Sequence, residues 1–218
     1  MTKNLNSSLS NLDWHRQGVG GLWDEIGILQ FQFLLKQGLK PTDYMLDVGC
    51  GSLRGGVHFI KFLNVGHYYG VDKNQALLDA GKNLELPRYR LAEKNPNLSL
   101  MNDFNFLRLN QKFNFAIAQS VFTHLYFNHI VRCLMNIEQV LLPGGKFFAT
   151  FFENPQGKFN LDPIYQPGLE AHSYFDANPF HYEFSIFEYV CLNTSLTVEY
   201  IGNWNHPRNQ KMMVFTKN

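Results

Sequence analysis

An alternation of short apolar runs with longer amphipathic stretches is the feature that most constrains the fold of this chain. Short and nearly continuous apolar runs are typical of strands buried on both faces, and the amphipathic stretches are typical of covering helices. The runs predict strands at Tyr44 to Val48, His67 to Val71, Leu98 to Met101, Phe113 to Ala118 and Lys146 to Phe152. The pattern therefore predicts an α/β fold with a mostly parallel sheet.

Helices are predicted between these strands, before the first strand and after the fifth. The stretches are Trp23 to Gln37, Gly55 to Leu63, Asn74 to Leu84, Leu125 to Leu142 and Ser185 to Thr194. Two more strands, Leu196 to Ile201 and Lys211 to Thr216, are joined by a connection too short for a crossover helix. We therefore expect them to form an antiparallel hairpin at one edge of the sheet.

Length and charge limit the organisation of the chain. We expect 218 residues to form one domain over 1–218, with an N-terminal cap segment at 1–43 and an insertion at 153–182. Nineteen basic residues against 18 acidic ones leave a formal charge of +1, so no general basic face is available for nucleic acid. We expect no nucleic-acid partner, and a monomer or a homodimer.

Cysteine usage and hydropathy indicate the compartment. The three cysteines are odd in number and lack the spacing of a zinc site, which favours a reducing compartment and predicts no metal. The first ten residues lack the basic, apolar and small-residue order of a signal peptide, and no apolar run is long enough to span a membrane. These features predict a cytoplasmic protein with no membrane partner.

A glycine-rich run follows the first predicted strand, in the order Asp47-Val48-Gly49-Cys50-Gly51-Ser52-Leu53-Arg54-Gly55-Gly56. Glycines between a strand and a helix permit positive φ and let the backbone approach a ligand. The GxGxxxG spacing departs from that of dinucleotide sites and by itself indicates a nucleotide-like ligand. Because Asp47 would repel a nearby pyrophosphate, a cationic ligand such as S-adenosylmethionine is favoured over a dinucleotide.

Two further acidic residues follow predicted strands. Asp72 ends the second strand, about 20 residues beyond the glycines, where an acid can accept the two hydroxyls of a ribose. An N-cap for the following helix is an equally good interpretation of Asp72. After the third strand, Asp103 could accept from an adenine amino group and Phe104 could cover its ring, although a loop turn explains this pair as well.

In order and spacing these motifs resemble the class I S-adenosylmethionine-dependent methyltransferases. The resemblance covers about residues 44–152 and includes Ala118-Gln119-Ser120-Val121-Phe122-Thr123-His124-Leu125 and Leu142-Pro143-Gly144-Gly145. It implies a Rossmann-like fold, with a seven-stranded, mostly parallel sheet, an antiparallel last strand and helices on both faces. It also implies S-adenosylmethionine as the cofactor and S-adenosylhomocysteine as the product.

The resemblance assigns cofactor roles to the matching positions. Gly49 and Gly51 would line the methionine and ribose portion, Asp72 the ribose hydroxyls, and Asp103 with Phe104 the adenine. Asp47 would lie near the ammonium group and Gln119 near the methionine part. Arg54 departs from the family pattern, and it would either pair with the cofactor carboxylate or cap a solvent-facing helix turn.

The acceptor would bind beyond the carboxyl ends of the strands. Histidines are concentrated in the connections that leave those ends, and the candidate residues there are His124, His172, His181, Tyr182, His206 and Arg208. His124 and His181 are the candidate catalytic bases, and the other four would bind the acceptor. For His124 a backbone-bonded histidine is an equally good interpretation, and for His181 a packing role is the stronger one.

The insertion at 153–182 is rich in aromatic residues and would form a lid over the acceptor or a local core. The sequence therefore predicts methyl transfer to a small molecule by in-line displacement, with a hydroxyl oxygen preferred because histidines crowd the acceptor side. The alternatives are a non-catalytic module of the same fold that binds the cofactor or a partner, and an N-methyltransferase acting on protein or RNA.

Overall fold

The computed structural model describes residues 13–155 and 159–218. Its strands are β1 (Met45–Val48), β2 (Tyr68–Asp72), β3 (Asn97–Leu100), β4 (Phe113–Ala118), β5 (Leu141–Glu153), β6 (Ile164–Gln166), β7 (Ala171–Ser173), β8 (His181–Tyr182), β9 (Leu196–Gly202) and β10 (Lys211–Lys217). Its helices are α1 (Trp14–Gly18), α2 (Trp23–Lys36), α3 (Gly56–Phe62), α4 (Gln75–Ala80), α5 (Phe127–Val140) and α6 (Ser185–Cys191).

The chain divides into two compact units. Within the described residues, the first unit comprises 13–42 and 50–100, and the second comprises 43–49, 101–155 and 159–218. The single domain over 1–218, its cap segment at 1–43 and the lid at 153–182 stay predictions. Residues 1–12 of that cap segment and 156–158 of that insertion lie outside the described residues.

The first unit contains two parallel strands and the helices around them. β2 and β3 pair in parallel, with Tyr69 opposite Asn97 and Asp72 opposite Leu100. Helix α2 forms because its apolar side chains recur at helical spacing, and it buries Ile26 and Leu34 on one face. Helix α4 continues into a π-helical turn at Gly81–Glu85, so its α-helical part is shorter than predicted.

The second unit contains the remaining long strands. β1 pairs with β4 and β4 with β5 in parallel, while β10 is antiparallel to both β5 and β9. The predicted mostly parallel α/β class and its antiparallel last strand are confirmed, and the bounds of β4 are those predicted from the sequence. Helix α5 buries Ile130, Leu134 and Ile137 along one face, as its periodicity predicts.

Strand β5 differs from its prediction at its start. It begins at Leu141 rather than at Lys146, and its register with β4 passes from Phe113 opposite Leu141 to Phe115 opposite Lys146. Residues 142–145 accommodate the extra length in a local bulge, where Gly144 adopts a φ of 74°. The Leu142-Pro143-Gly144-Gly145 motif is therefore part of the strand and does not precede it.

A phenylalanine cluster forms the core of the second unit. Phe187 of α6 packs on Phe122, Phe151 and Phe215, with ring centroids 5.2 to 6.4 Å apart. All four rings are fully buried. None of the helices in the described part of the chain combines the length and apolarity that a membrane crossing requires.

Candidate functional site

Two glycines follow β1, and both need a backbone that only glycine adopts easily. Gly49 has a φ of 74° and Gly51 a φ of 55°. A Cβ at Gly49 would lie 2.5 Å from Cγ2 of Val121, and one at Gly51 would lie 2.5 Å from Cγ1 of Val19. The valine methyl groups leave no space for a Cβ at either position. The two glycines are therefore explained by packing and are not themselves evidence for a ligand.

Asp72 lies at the end of β2, in the first unit. Its Oδ2 accepts the N–H of Gly51 at 2.8 Å, and its Oδ1 accepts the N–H of Asn74 at 2.8 Å. The N-cap of α4 is Asn74, whose side-chain oxygen accepts from the N–H groups of Ala76 and Leu77, so Asp72 is not the cap. A carboxylate oxygen has two acceptor positions, and each oxygen of Asp72 thus keeps a position for a further donor.

Arg54 is buried in the first unit, with 6% of its surface exposed. Its Nη1 donates to the carbonyl oxygens of Val19 at 2.8 Å and Gly21 at 2.9 Å. The guanidinium thus joins the turn after α1 to the segment just before α3, and it does not cap a solvent-facing helix turn. Its contact with a cofactor carboxylate stays a prediction.

A buried ionic cluster holds α1 against the π-helical turn. Glu85 is fully buried and accepts from Nε and Nη2 of Arg16 at 2.8 Å each, and its Oε1 lies 2.6 Å from Nε2 of His15. Burial favours the neutral acid, but the hydrogen bonds from Arg16 and His15 outweigh it and hold the pKa of Glu85 below its ordinary value. Arg88 also donates to Glu85, at 3.1 Å.

The same cluster is the candidate metal site among the described residues. Ligand atoms of Asp13, His15 and Glu85 lie within 4.8 Å of one another. Arg16 and Arg88 already neutralise the two carboxylates, because Arg88 also donates to Asp13 at 3.0 Å. The arrangement is therefore that of an ion-pair network, in which a cation would have to displace two guanidinium groups.

Three predicted cofactor residues lie in the second unit near the ends of strands. Asp47 is buried in β1, with 4% of its surface exposed. Asp103 accepts the N–H of Asn105 at 3.1 Å and a hydrogen bond from Arg108, and these two groups lower the pKa of its carboxyl. Phe104 has a φ of 58° and is half-buried, with its ring 6.1 Å from that of Phe106.

Gln119 belongs to a buried polar network at the carboxyl end of β4. Its amide lies 2.6 Å from Oγ of Ser120 and 3.0 Å from Nε2 of His206. Thr150 of β5 accepts the N–H of Ser120 at 2.7 Å and donates to Gln210 at 2.7 Å. Two predicted residues, Gln119 and His206, are therefore brought together.

Sequence reasoning missed Thr150 and Gln210 as members of this network. Thr150 is fully buried and Gln210 is 3% exposed. A polar residue inside the apolar run of β5 is a signal of internal hydrogen bonding, which would have singled out Thr150. Its partner is 60 residues away along the chain, so no local pattern connects the two.

The two candidate bases have different surroundings. His124 is exposed, and its Nδ1 lies 2.6 Å from the side-chain oxygen of Asn178. His181 is buried, with Nδ1 3.2 Å from Oγ of Ser173 and Nε2 3.1 Å from the carbonyl oxygen of Asn160. Both ring nitrogens of His181 are thus bonded within the protein, whereas His124 uses one.

The candidate acceptor residues all lie in the second unit. His172 is exposed and packs against Tyr165 at 5.4 Å. Tyr182 donates its hydroxyl to the carbonyl of Leu125, and burial raises the pKa of that hydroxyl. His206 stacks on Trp204 at 5.4 Å.

The backbone N–H of Arg208 donates to Nδ1 of His206 at 3.1 Å, and the side chain of Arg208 is half-buried. The roles of all these residues, and those of the predicted cofactor residues, stay predictions.

Comparison with known proteins adds a family match and a set of similar folds. Residues 46–147 match the model of the family described as Methyltransferase domain. The magnesium protoporphyrin IX methyltransferase ChlM of Synechocystis PCC 6803 is 10% identical, with a TM-score of 0.62 over 88% of this chain and 81% of that one. The CcbJ methyltransferase of Streptomyces caelestis is 14% identical, with a TM-score of 0.64 over 92% and 98%.

An S-adenosylmethionine-dependent methyltransferase of Clostridium acetobutylicum ATCC 824 is 14% identical, with a TM-score of 0.62 over 98% of each chain. At such identities the likeness shows the fold, which is Rossmann-like with a mostly parallel sheet and an antiparallel last strand. The family match begins at the second residue of β1, includes the glycine-rich turn and ends at Phe147, in the middle of β5. Together they give this chain a methyltransferase-domain match over residues 46–147 and the Rossmann-like fold of the methyltransferases it resembles.

Proposed function

We propose that this chain is a class I methyltransferase that transfers a methyl group from S-adenosylmethionine to a hydroxyl oxygen of a small-molecule acceptor and releases S-adenosylhomocysteine. Support for the donor comes from relatives of the same fold, since the ChlM structures hold S-adenosylmethionine or S-adenosylhomocysteine. The observation that carries the proposal is the placement of Asp72. Its carboxylate is held by two backbone N–H groups and retains two acceptor positions, which suits a pair of ribose hydroxyls.

The remaining donor contacts are assigned by residue. Gly49, Gly51 and Gln119 would lie along the methionine and ribose portion, with Asp47 near the ammonium group. Asp103 and Phe104 would bind the adenine, and Arg54 the carboxylate. Because Asp47 and Asp72 are acidic, they suit the cationic donor better than a pyrophosphate.

When bound, the donor supplies an electrophilic methyl group on a sulfonium. The chain's own task is to orient the acceptor and exclude water, and orientation alone can supply about 7–11 kcal/mol of the barrier. His124 would remove the hydroxyl proton. An amide oxygen only accepts, so Nδ1 of His124 carries the proton given to Asn178 and Nε2 keeps a lone pair.

His181 is the weaker candidate for the base. A carbonyl oxygen only accepts, so Nε2 of His181 donates to Asn160, and its Nδ1 is left to accept from Ser173. Proton removal by this ring would require one of these buried bonds to break. We therefore assign catalysis to His124 and a role in holding the insertion to His181.

The acceptor is assigned from this chain's own residues, because relatives of the same fold act on different molecules. One is named as a glycopeptide N-methyltransferase and another as a magnesium protoporphyrin IX methyltransferase. His172, Tyr182, His206 and Arg208 would surround the acceptor, and their mixture of aromatic and polar groups suits a small molecule. The formal charge of +1 gives no general attraction to RNA.

The test is a transfer assay with methyl-labelled S-adenosylmethionine and a panel of phenols, sugars, amines, a basic peptide and an RNA. We expect label on a hydroxyl compound. Label on the peptide or the RNA would replace the acceptor assignment with macromolecular N-methylation. Tight donor binding with no labelled product on any panel member would favour a non-catalytic module.

A further inference from the structure

A cavity beside the end of β5, in the second unit, is lined by three aromatic rings and a carboxylate. Its lining includes Asn154, Phe159, Phe175, His181, Tyr182 and Glu183. We refer to these six residues as the aromatic cavity. Asn154 directly follows β5, and Tyr182 of β8 pairs with Glu153 at the end of that strand. The cavity thus lies where acceptors bind in open α/β sheets.

Two rings of the aromatic cavity, those of Phe159 and Phe175, pack against each other edge to face. Phe159 and Phe175 have ring centroids 5.7 Å apart and planes inclined by 73°. Phe159 is 72% exposed and Phe175 is 39% exposed, so both rings are accessible to a ligand. The third ring is fixed in position, because the Tyr182 hydroxyl donates to the carbonyl of Leu125. Aromatic faces carry negative electrostatic potential and attract cations.

The charge of the aromatic cavity has the same sign as this potential. Glu183 supplies a carboxylate that accepts from Nδ2 of Asn154 at 3.3 Å. His181 uses both ring nitrogens in bonds within the protein. Among the cavity's described lining residues there is no lysine or arginine. A neutral ligand would desolvate Glu183 without compensation, whereas a cation would compensate it.

We propose that the aromatic cavity binds a substituted ammonium group of the methyl acceptor. As a statement about the acceptor, this rests on the proposed function. A protonated or fully alkylated nitrogen has no lone pair to attack the donor, so the ammonium is a recognition group. The hydroxyl that receives the methyl group belongs to another part of the same molecule. The acceptor class is therefore an amino alcohol or a phenol with an aminoalkyl side chain.

The test compares two probes of nearly equal shape, choline and its neutral analogue 3,3-dimethylbutan-1-ol. Binding to the full chain is measured by calorimetry and by NMR shifts at constant ionic strength. If each of two aromatic faces contributes about 2- to 5-fold, the neutral analogue should bind about 4- to 25-fold more weakly than choline. Phe175→Leu keeps an apolar side chain but removes one aromatic face, and it should weaken choline binding about 2- to 5-fold.

Glu183→Gln keeps the shape of the side chain and removes its charge, and it should also weaken choline binding. Tyr189→Leu is the matched control, since Tyr189 is 65% exposed on α6 and belongs to none of the cavity residues. It should leave choline binding unchanged. Circular dichroism of each variant verifies folding, and S-adenosylhomocysteine affinity is measured on the same samples and should equal that of the wild type.

Equal affinity for the two probes would overturn the proposal, as would no choline binding or full choline affinity in both cavity variants. These failures are distinguishable from failure of the proposed function. If the predicted choline binding is not observed while S-adenosylhomocysteine still binds, only the ammonium assignment is lost. If S-adenosylhomocysteine fails while choline binds with the expected pattern, the cavity assignment is supported and the donor is refuted.

Discussion

Replacement of Gly51 by alanine tests the packing of the turn after α1 on the glycine-rich run. The backbone at Gly51 has a φ of 55°, and alanine in the left-handed region costs about 1–2 kcal/mol. Its Cβ would also lie 2.5 Å from Cγ1 of Val19, and overpacking of this kind costs about 1–3 kcal/mol. The stiffer unfolded chain offsets about 0.4–1 kcal/mol of these two costs, so Gly51→Ala should lower the free energy of unfolding by about 1–5 kcal/mol.

Gly66 provides a matched control for the backbone part of this cost. It has a φ of 77°, and a Cβ there would meet nothing within 4 Å. Gly66→Ala should therefore cost no more than about 1.6 kcal/mol. In the double variant Val19→Ala/Gly51→Ala, loss of the Val19 methyls should recover at least about 1 kcal/mol relative to the sum of the single changes.

The assay is urea unfolding followed by circular dichroism and by tryptophan fluorescence. The reasoning is refuted if Gly51→Ala costs the same as Gly66→Ala. It is also refuted if the Val19 and Gly51 changes are additive, because the steric contact would then carry no energy.

Two further predictions concern catalysis and pH. His124→Ala should lower turnover by about 10²- to 10⁴-fold while the affinity for S-adenosylhomocysteine stays within a factor of two, and an unchanged rate would dismiss His124 as the base. Glu85→Gln should destabilise by roughly 3–5 kcal/mol, because it leaves Arg16 and Arg88 without their buried counter-charge. The folded-state pKa of Glu85 is lowered, so its stabilisation is fully present above its ordinary value of 4.5 and is lost as the pH falls through the folded-state pKa. The unfolding temperature is measured between pH 2 and 7, and its fall at low pH should be smaller in Glu85→Gln than in the wild type. The exposed control Glu93→Gln should behave like the wild type. Parallel curves for all three proteins would contradict this.

Much of the fold could be predicted because its signal is local. The bounds of β4 agree with the predicted strand, and α5 buries the face that its periodicity indicates. Strands buried on both faces and long amphipathic helices each have a characteristic hydrophobic period. The antiparallel hairpin of β9 and β10 could be predicted from the short connection alone.

The parts that were missed depend on contacts distant in sequence or on very short elements. β6 and β7 have three residues each, which is too few to show an alternating pattern. The early start of β5 depends on a bulge opposite β4 that has no local hydrophobic signal. Likewise, the sequence places Asp72 at a strand end, but only the structure assigns the helix cap to Asn74.

The candidate site was predicted by residue type and not by geometry. Arg54 was expected to contact a ligand or solvent, and the structure shows it bonded to the carbonyls of Val19 and Gly21. The glycines were expected to make room for a ligand, and valine methyls lie beside them. Such contacts join residues about 30 or more positions apart, which the order of residues along a chain does not specify.

Calorimetric titration of the full chain with S-adenosylhomocysteine, beside the Asp72→Ala variant, tests the central claim most directly. Hydrogen bonds to a charged carboxylate contribute about 1.5–3 kcal/mol each, so loss of the ribose contacts should weaken binding by at least about 10-fold. We predict saturable binding to the wild type, this loss in Asp72→Ala, and no comparable affinity for NAD. Equal affinities of the wild type and Asp72→Ala, or tighter binding of NAD, would contradict the account.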